Sequence, residues 1–96
     1  MELSAAQIEQ FHTTGYLTFP SLFSREEIAP IQKAAERSVQ SPGANVTPEF
    51  NTDSVRMVHG AHAYEPALNL LCRHPRVIRP AEQLVGSGVY IHQSRL

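Results

Sequence analysis

One stretch of the sequence carries its strongest β signal: Val89-Tyr90-Ile91-His92-Gln93-Ser94-Arg95-Leu96, directly after a Gly86-Ser87-Gly88 turn. Its apolar and β-branched residues predict a strand. Alternation with a period of two puts on one face Val89, Ile91, Gln93 and Arg95, and on the other Tyr90, His92 and Ser94. A face that becomes polar at Gln93 and Arg95 needs hydrogen-bond partners, which either a ligand cavity or solvent at a sheet edge supplies.

This strand has few partners in the rest of the chain. Two other short segments are β-prone: Tyr16-Leu17-Thr18-Phe19-Pro20, and Ser54-Val55-Arg56-Met57-Val58-His59, which forms either a strand or an extended loop. These strands are too few for an independently stable sheet with both faces covered. We therefore expect an α+β chain whose sheet is incomplete.

Two helices are predicted from capping boxes, in which a serine and a residue three positions later cap each other's backbone N–H groups. Ser4 pairs in this way with Gln7, and Ser24 with Glu27, so helices begin directly after Ser4 and Ser24. Gly15 is placed to end the first helix, because glycine tolerates the left-handed conformation that this position requires.

The second helix is predicted to run to about Ser38 and to bury one face. That face comprises Ile31, Ala34, Ala35 and, at its end, Ser38. Pro30 is the weak point, because proline lacks the N–H for one backbone hydrogen bond and can kink the second turn. The following residues, Gln40 to Ser54, have the composition of a flexible surface loop.

A third helix opens at Pro66, since proline is favoured in the first helical turn. The His74-Pro75 step ends it, because a residue that precedes proline avoids the helical region. A fourth helix is predicted from about Pro75 to Val85, and it stops at Gly86.

The composition excludes several classes of protein. An apolar fraction of 42% and a charged fraction of 18% fit a soluble globular chain. Eight Lys and Arg against nine Asp and Glu give a net charge of −1, so nucleic acid and anionic lipid are not expected partners and a small molecule is. Met1 to Gln10 contains no targeting signal, and no stretch is long and apolar enough for a membrane span, so we expect a cytoplasmic protein.

The cysteine, the histidines and one arginine could each take part in chemistry, but each could also have an ordinary structural role. Cys72 is the single cysteine and lies in an apolar helical pattern, so a small buried hydrophobe is expected rather than a nucleophile. The five histidines do not show the spacing of a metal site, although His59 and His62 would share a face if their stretch were helical. Arg56 either binds a substrate carboxylate through its guanidinium fork or forms an ion pair with Asp53 or Glu65.

Three segments together resemble a known family. They are Ser54-Val55-Arg56-Met57-Val58-His59-Gly60-Ala61-His62, then His74-Pro75-Arg76, then Val89 to Leu96. They are similar to the phytanoyl-CoA dioxygenase superfamily, in particular to its ectoine hydroxylases and bacterial free-proline 4-hydroxylases. Phe11 to Leu17 and Leu22 to Ile28 are similar to the opening helix, strand and second helix of that superfamily.

The resemblance implies an enzyme that uses Fe(II), 2-oxoglutarate and O2 to hydroxylate a small amino-acid-like substrate. Residues 1–96 would be the N-terminal portion of one such domain, comprising its helical part and the first strands of an incomplete double-stranded β-helix. The iron and 2-oxoglutarate ligands would lie beyond Leu96, so the chain alone should hold no iron and no catalytic residue. Gln93 is implied as a substrate contact, and Arg56 and His62 are further substrate-side candidates. His92 and Tyr90 are expected on the outer face.

Two other hypotheses remain open from the residues alone. The first is a stand-alone helical interaction module whose last strand pairs with a partner's sheet edge. Its small core would comprise Ile8, Phe11, Ile31, Leu68, Leu71 and Leu84. The second is a small metal-binding protein, which requires at least three of the histidines to converge.

Overall fold

The computed structural model describes residues 2–40, 43 and 45–96. Its helices are α1 (Ala5–Thr14), α2 (Arg25–Gln40), α3 (Pro66–Cys72) and α4 (Pro75–Val85). Between α2 and α3 lie two short strands, β1 (Val46–Pro48) and β2 (Val55–Val58), and a 3-10 turn at Ala61–Ala63. The strands pair antiparallel, and the register shifts between Thr47 and Pro48.

Both predicted capping boxes are present. Gln7 N donates to Ser4 Oγ at 3.2 Å, and Ser4 N donates to Gln7 Oε1 at 2.9 Å. Ser24 N donates to Glu27 Oε2 at 2.8 Å, and Glu27 N donates to Ser24 Oγ at 3.1 Å. Gly15 ends α1 with φ 85°, as predicted, and its N–H donates to the carbonyl of Phe11. These local signals therefore fix where α1 and α2 begin.

Helix α2 is continuous through Pro30 and extends past its predicted end at Ser38 to Gln40. The predicted inner face is confirmed, since Ala34 and Ser38 are buried and Ile31 and Ala35 are half-buried. The buried hydroxyl of Ser38 donates to the carbonyl of Ala34 at 2.9 Å, so this polar atom has a partner inside the helix.

The core lies where α2 and α3 meet β2 and the 3-10 turn. It consists of Ala34, Val58, Ala61 and Leu68, with Ile31, Val46, Val55 and Ala67 packed around it. Alanine at positions 34 and 61 allows the backbone of α2 and of the turn to approach the strand closely. Of the six residues expected in the core of an interaction module, Leu68 is buried in this core and Ile31 packs against it. The expected core is wrong for Ile8, Phe11, Leu71 and Leu84, which are only half-buried and do not belong to it.

The N-terminus is attached to α4 through one side chain. Leu3 is buried, and its N–H donates to Gln83 Oε1 at 2.7 Å. The carbonyl of Leu3 accepts from Gln83 Nε2 at 3.5 Å. Helix α1 itself contains no buried residue, so this contact fixes its beginning to the rest of the fold.

The predictions of β structure were less accurate than those of the helices. Tyr16 to Pro20 forms no strand, because no neighbouring strand is available to pair with it. The predicted loop contains β1, since Val46 and Thr47 supply the partner that β2 requires. The part of that predicted loop at positions 41, 42 and 44 lies outside the described residues.

The predicted strand at Val89 to Leu96 is also mostly wrong. Only Arg95 is in a β-bridge, with His59, because the free edge of β2 reaches only the end of this segment. Among the described residues, no helix is long and apolar enough to cross a membrane.

Candidate functional site

The end of the chain lies along the edge of β2 that β1 leaves open. The N–H of Val58 donates to the carbonyl of Leu96 at 3.1 Å, and Leu96 N–H donates back to Val58 at 2.9 Å. Gly60 N–H donates to the carbonyl of Ser94 at 3.0 Å. This pairing brings residues 92–94 against the segment that joins β2 to α3.

That joining segment presents His62. Gly60 precedes the 3-10 turn with φ 67°, a conformation that favours glycine. The carbonyl of His62 accepts from Asn69 Nδ2 of α3 at 3.1 Å, and its ring nitrogen Nδ1 lies 2.6 Å from Ser94 Oγ. Ala61, the preceding residue, is part of the core. The ring therefore projects from a turn that is packed and hydrogen-bonded on its inner side.

A cavity of about 200 Å³ forms where the two segments meet, and we call it the histidine cavity. It is lined by His59, Gly60, His62, His92, Gln93 and Ser94. The structure thus brings together His62 and Gln93, which the sequence singled out separately as substrate-side candidates. Both alternatives for the polar end of the last segment stay open, because Gln93 lines this cavity while Gln93 and Arg95 are also exposed to solvent.

The carboxamide of Gln93, an exposed residue, is oriented by one hydrogen bond. Arg95 Nη2 donates to Gln93 Oε1 at 2.7 Å. A guanidinium has donors and no acceptor, so the amide oxygen must face Arg95. The amide NH2 of Gln93 therefore faces away from Arg95, and it has no acceptor among the described residues. It is suited to donate to an acceptor such as a carboxylate.

The structure does not bring Arg56 to the same place. Arg56 is exposed on β2 and is not among the residues that line the histidine cavity. Its proposed ion-pair partner Glu65 instead binds Arg37, whose Nη2 lies 2.9 Å from Glu65 Oε2. Neither ion pair of the described residues involves Arg56. Its role in substrate binding stays a prediction.

Three of the histidines line one cavity, namely His59, His62 and His92. Within residues 2–40, 43 and 45–96, however, no group of three or more His, Cys, Asp or Glu side chains is arranged to hold a metal ion. The residues present therefore do not fit an iron site. Tyr90 is 84% exposed, which accords with its expected outer position. His92, expected on the same outer face, instead lines the cavity, and its ring contacts that of Tyr90 edge to face.

Sequence reasoning missed the contact that Ser94 makes with His62, because it depends on a pairing between distant parts of the chain. The sequence offered one relevant signal: in an extended segment, the alternation of side chains places Ser94 on the other face from Gln93.

The structure supports the structural role expected for Cys72. Cys72 is half-buried, and desolvation raises the pKa of its thiol, which disfavours the nucleophilic thiolate.

A second polar cluster, centred on Arg76, was also missed. Arg76 binds both oxygens of Glu27 at 3.0 Å and donates to the carbonyl of Leu22 at 2.9 Å. Its guanidinium lies 5.1 Å from the ring centroid of Phe23. The hydrogen bonds from Arg76, followed by that from the Ser24 N–H, lower the pKa of Glu27 to about 2. This cluster joins the start of α2 to the first turn of α4, so we interpret it as a structural contact between the two helices.

Comparison with known proteins gives a consistent result, although no family model matches the chain. It is 36% identical over 97 positions to an ectoine dioxygenase of Bordetella bronchiseptica, covering 97% of this chain and 32% of that protein. It is 35% identical over 98 positions to the ectoine dioxygenase of Sphingopyxis alaskensis, covering 98% of this chain and 32% of that protein. The chain thus spans about a third of the length of these curated relatives.

Solved structures agree with these relatives. A crystal structure of EctD from S. alaskensis with 2-oxoglutarate and 5-hydroxyectoine matches with a TM-score of 0.90 at 35% identity, covering 98% of this chain and 35% of that one. A structure of the same protein with bound Fe matches with a TM-score of 0.89 at 32% identity, covering 97% of this chain and 34% of that one. The resemblance to ectoine hydroxylases is therefore confirmed, and the α+β chain folds as the matching third of EctD does.

Proposed function

We propose that this chain is the amino-terminal third of an Fe(II)- and 2-oxoglutarate-dependent dioxygenase that hydroxylates a small amino-acid-like substrate of the ectoine or proline type. The observation that carries the proposal is the match to EctD, with a TM-score of 0.90 over 98% of the chain. The matched protein was crystallised with 2-oxoglutarate and 5-hydroxyectoine. The match does not favour the stand-alone interaction module.

In this proposal, residues 1–96 are one part of a single domain whose double-stranded β-helix is completed by the remaining two thirds. Several large apolar side chains support this, since Leu70 is 61%, Phe50 83% and Tyr90 84% exposed. Apolar surface of this kind is commonly covered by further protein. The pairing of Leu96 with Val58 would be the beginning of a larger sheet. We place the enzyme in the cytoplasm, where the thiol of Cys72 would remain reduced.

The iron and the 2-oxoglutarate are assigned to the remaining two thirds, because the described residues do not fit an iron site. No step of the reaction that involves iron or O2 is therefore assigned to this chain. Its own contribution is to bind and orient the substrate at the histidine cavity.

The amide NH2 of Gln93 is proposed to donate to the carboxylate of the substrate. Arg95 supports this role, because its hydrogen bond occupies Gln93 Oε1 and leaves the two amide donors available to an acceptor. His62 lines the same cavity. Arg56 is retained as a further substrate-side candidate that would act from outside this cavity.

The first experiment is to read the coding sequence past Leu96. We expect an Asn two residues after Arg95 and a His-x-Asp motif within a few dozen residues. A stop codon directly after Leu96 would overturn the proposal.

The full-length protein is then assayed with Fe(II), 2-oxoglutarate and O2, with ectoine and free proline as alternative substrates. The expected product has gained one oxygen atom, detected by mass spectrometry, and its formation requires 2-oxoglutarate. Absence of any such product from both substrates would contradict the proposed substrate class.

A further inference from the structure

The segment that carries Gln93 has few attachments to the fold. Among the described residues, positions 88–93 make no backbone–backbone hydrogen bond. The first anchored residue is Ser94, directly after Gln93. The position of the Gln93 side chain therefore depends on how firmly Ser94 is held.

Ser94 is held at two points. Its carbonyl accepts from the Gly60 N–H at 3.0 Å, and its side-chain oxygen lies 2.6 Å from His62 Nδ1. Two residues further on, Leu96 exchanges two backbone hydrogen bonds with Val58, so the backbone contacts hold residues 94–96 but none of them acts on a side chain. The additional side-chain contact fixes the direction in which the chain enters the histidine cavity.

The other end of this contact is packed against the core and hydrogen-bonded to α3. His62 belongs to a turn whose neighbour Ala61 is buried in the core, and its carbonyl accepts from Asn69 Nδ2 of α3 at 3.1 Å. His62 is itself half-buried. Because several contacts hold His62 in place, its side chain is able to position Ser94.

We propose that His62 is a positioning residue: through its hydrogen bond to Ser94, it holds Gln93 in the orientation that binds the substrate. This inference rests on the proposed function, and it assigns His62 an indirect role rather than a direct substrate contact. Loss of the contact should weaken binding of the amino-acid-like substrate without changing the chemical step.

The test uses substitutions in the full-length hydroxylase. His62→Phe keeps a ring but removes the hydrogen bond, Ser94→Ala removes its partner, and His62→Asn keeps a polar atom near the place of Nδ1. His12→Phe is the matched control, since His12 is an exposed residue of α1 outside the cavity.

We expect His62→Phe and Ser94→Ala each to raise KM for the amino-acid-like substrate about three- to tenfold, the size expected for one lost hydrogen bond. The kcat and the KM for 2-oxoglutarate should stay within about twofold. The double variant should be no worse than either single one, because both remove the same contact. His62→Asn should restore part of the affinity, and His12→Phe should match the wild type.

A purely structural role would instead lower kcat through loss of active protein and leave KM unchanged, and that result would overturn the inference. Additive effects of the two substitutions would also overturn it. These outcomes are separate from failure of the proposed function, which shows as an inactive wild-type protein.

Hydrogen exchange tests the contact independently of turnover. The Gly60 amide, which donates to Ser94, should exchange faster in His62→Phe and Ser94→Ala. The His59 amide, which donates to Asn45 on the other side of β2, is the internal control and should be unchanged. Unaltered exchange at Gly60 would refute the inference even in a protein without hydroxylase activity.

Discussion

Replacement of Gln93 by leucine is the most direct test of the histidine cavity. Leucine has a similar size but no donor, so Gln93→Leu removes the amide that Arg95 orients through its 2.7 Å hydrogen bond. A hydrogen bond to a charged group is worth about 1.5–3 kcal/mol. At about 1.4 kcal/mol for each factor of ten, kcat/KM for a carboxylate substrate should fall roughly ten- to hundredfold.

The assay is steady-state hydroxylation by the full-length protein, with the amino-acid-like substrate varied at saturating 2-oxoglutarate. Gln10→Leu is the control, because Gln10 is exposed on α1 and lies outside the cavity. Gln93→Glu should lose more than Gln93→Leu, since a second carboxylate would repel that of the substrate. A Gln93→Leu enzyme within twofold of the wild type would refute the reasoning.

Three further predictions concern the chain more broadly. Val58→Ala should lower the free energy of unfolding by about 2–3 kcal/mol in a urea titration, because Val58 is 0% exposed and truncation of its side chain leaves a void. Val85→Ala, at a 65% exposed site, should be nearly neutral, and equal effects of the two substitutions would contradict the assigned core. Glu27→Gln should lower the melting temperature above pH 4.5 but not near pH 2. The pKa of Glu27 is lowered from 4.5 to about 2, so the stabilisation that its carboxylate contributes is lost as pH falls through that window. A difference in melting temperature between variant and wild type that persists at the lowest pH would refute this. The 96-residue chain alone should neither bind Fe(II) tightly nor consume 2-oxoglutarate, and anaerobic titration calorimetry that detects a tight site would contradict the assignment of iron to the remaining two thirds.

The helices were predictable because their signals are local. Ser4, Ser24 and Gly15 each act on backbone groups within one helical turn, so their effect can be read without knowledge of the rest of the fold. Pro66 and the His74-Pro75 step work in the same way. The strands were predicted less well, because a strand forms only where another backbone is available to pair with it.

In the site too, individual residues could be predicted from the sequence, but their spatial arrangement could not. Gln93 and His62 were identified from residues that resemble ectoine and proline hydroxylases, but nothing in the spacing indicated that they share a cavity. Their proximity results from the pairing of Val58 with Leu96 and of Gly60 with Ser94, which joins segments far apart in the sequence. The hydrogen bond between His62 and Ser94 follows from that pairing and was therefore not predictable from local pattern.

The attachment of Leu3 to Gln83 has a consequence for substitutions at position 83. The carboxamide of Gln83 offers an acceptor to the N–H of Leu3 and a donor to its carbonyl, so one side chain imitates the peptide group of a neighbouring strand. Glutamate has the same length but only acceptors when ionised, so it would set a negative charge against the Leu3 carbonyl. Asparagine keeps both groups but is one methylene shorter. Gln83 therefore holds the residue before α1 through an acceptor and a donor, the two groups that a backbone peptide would offer.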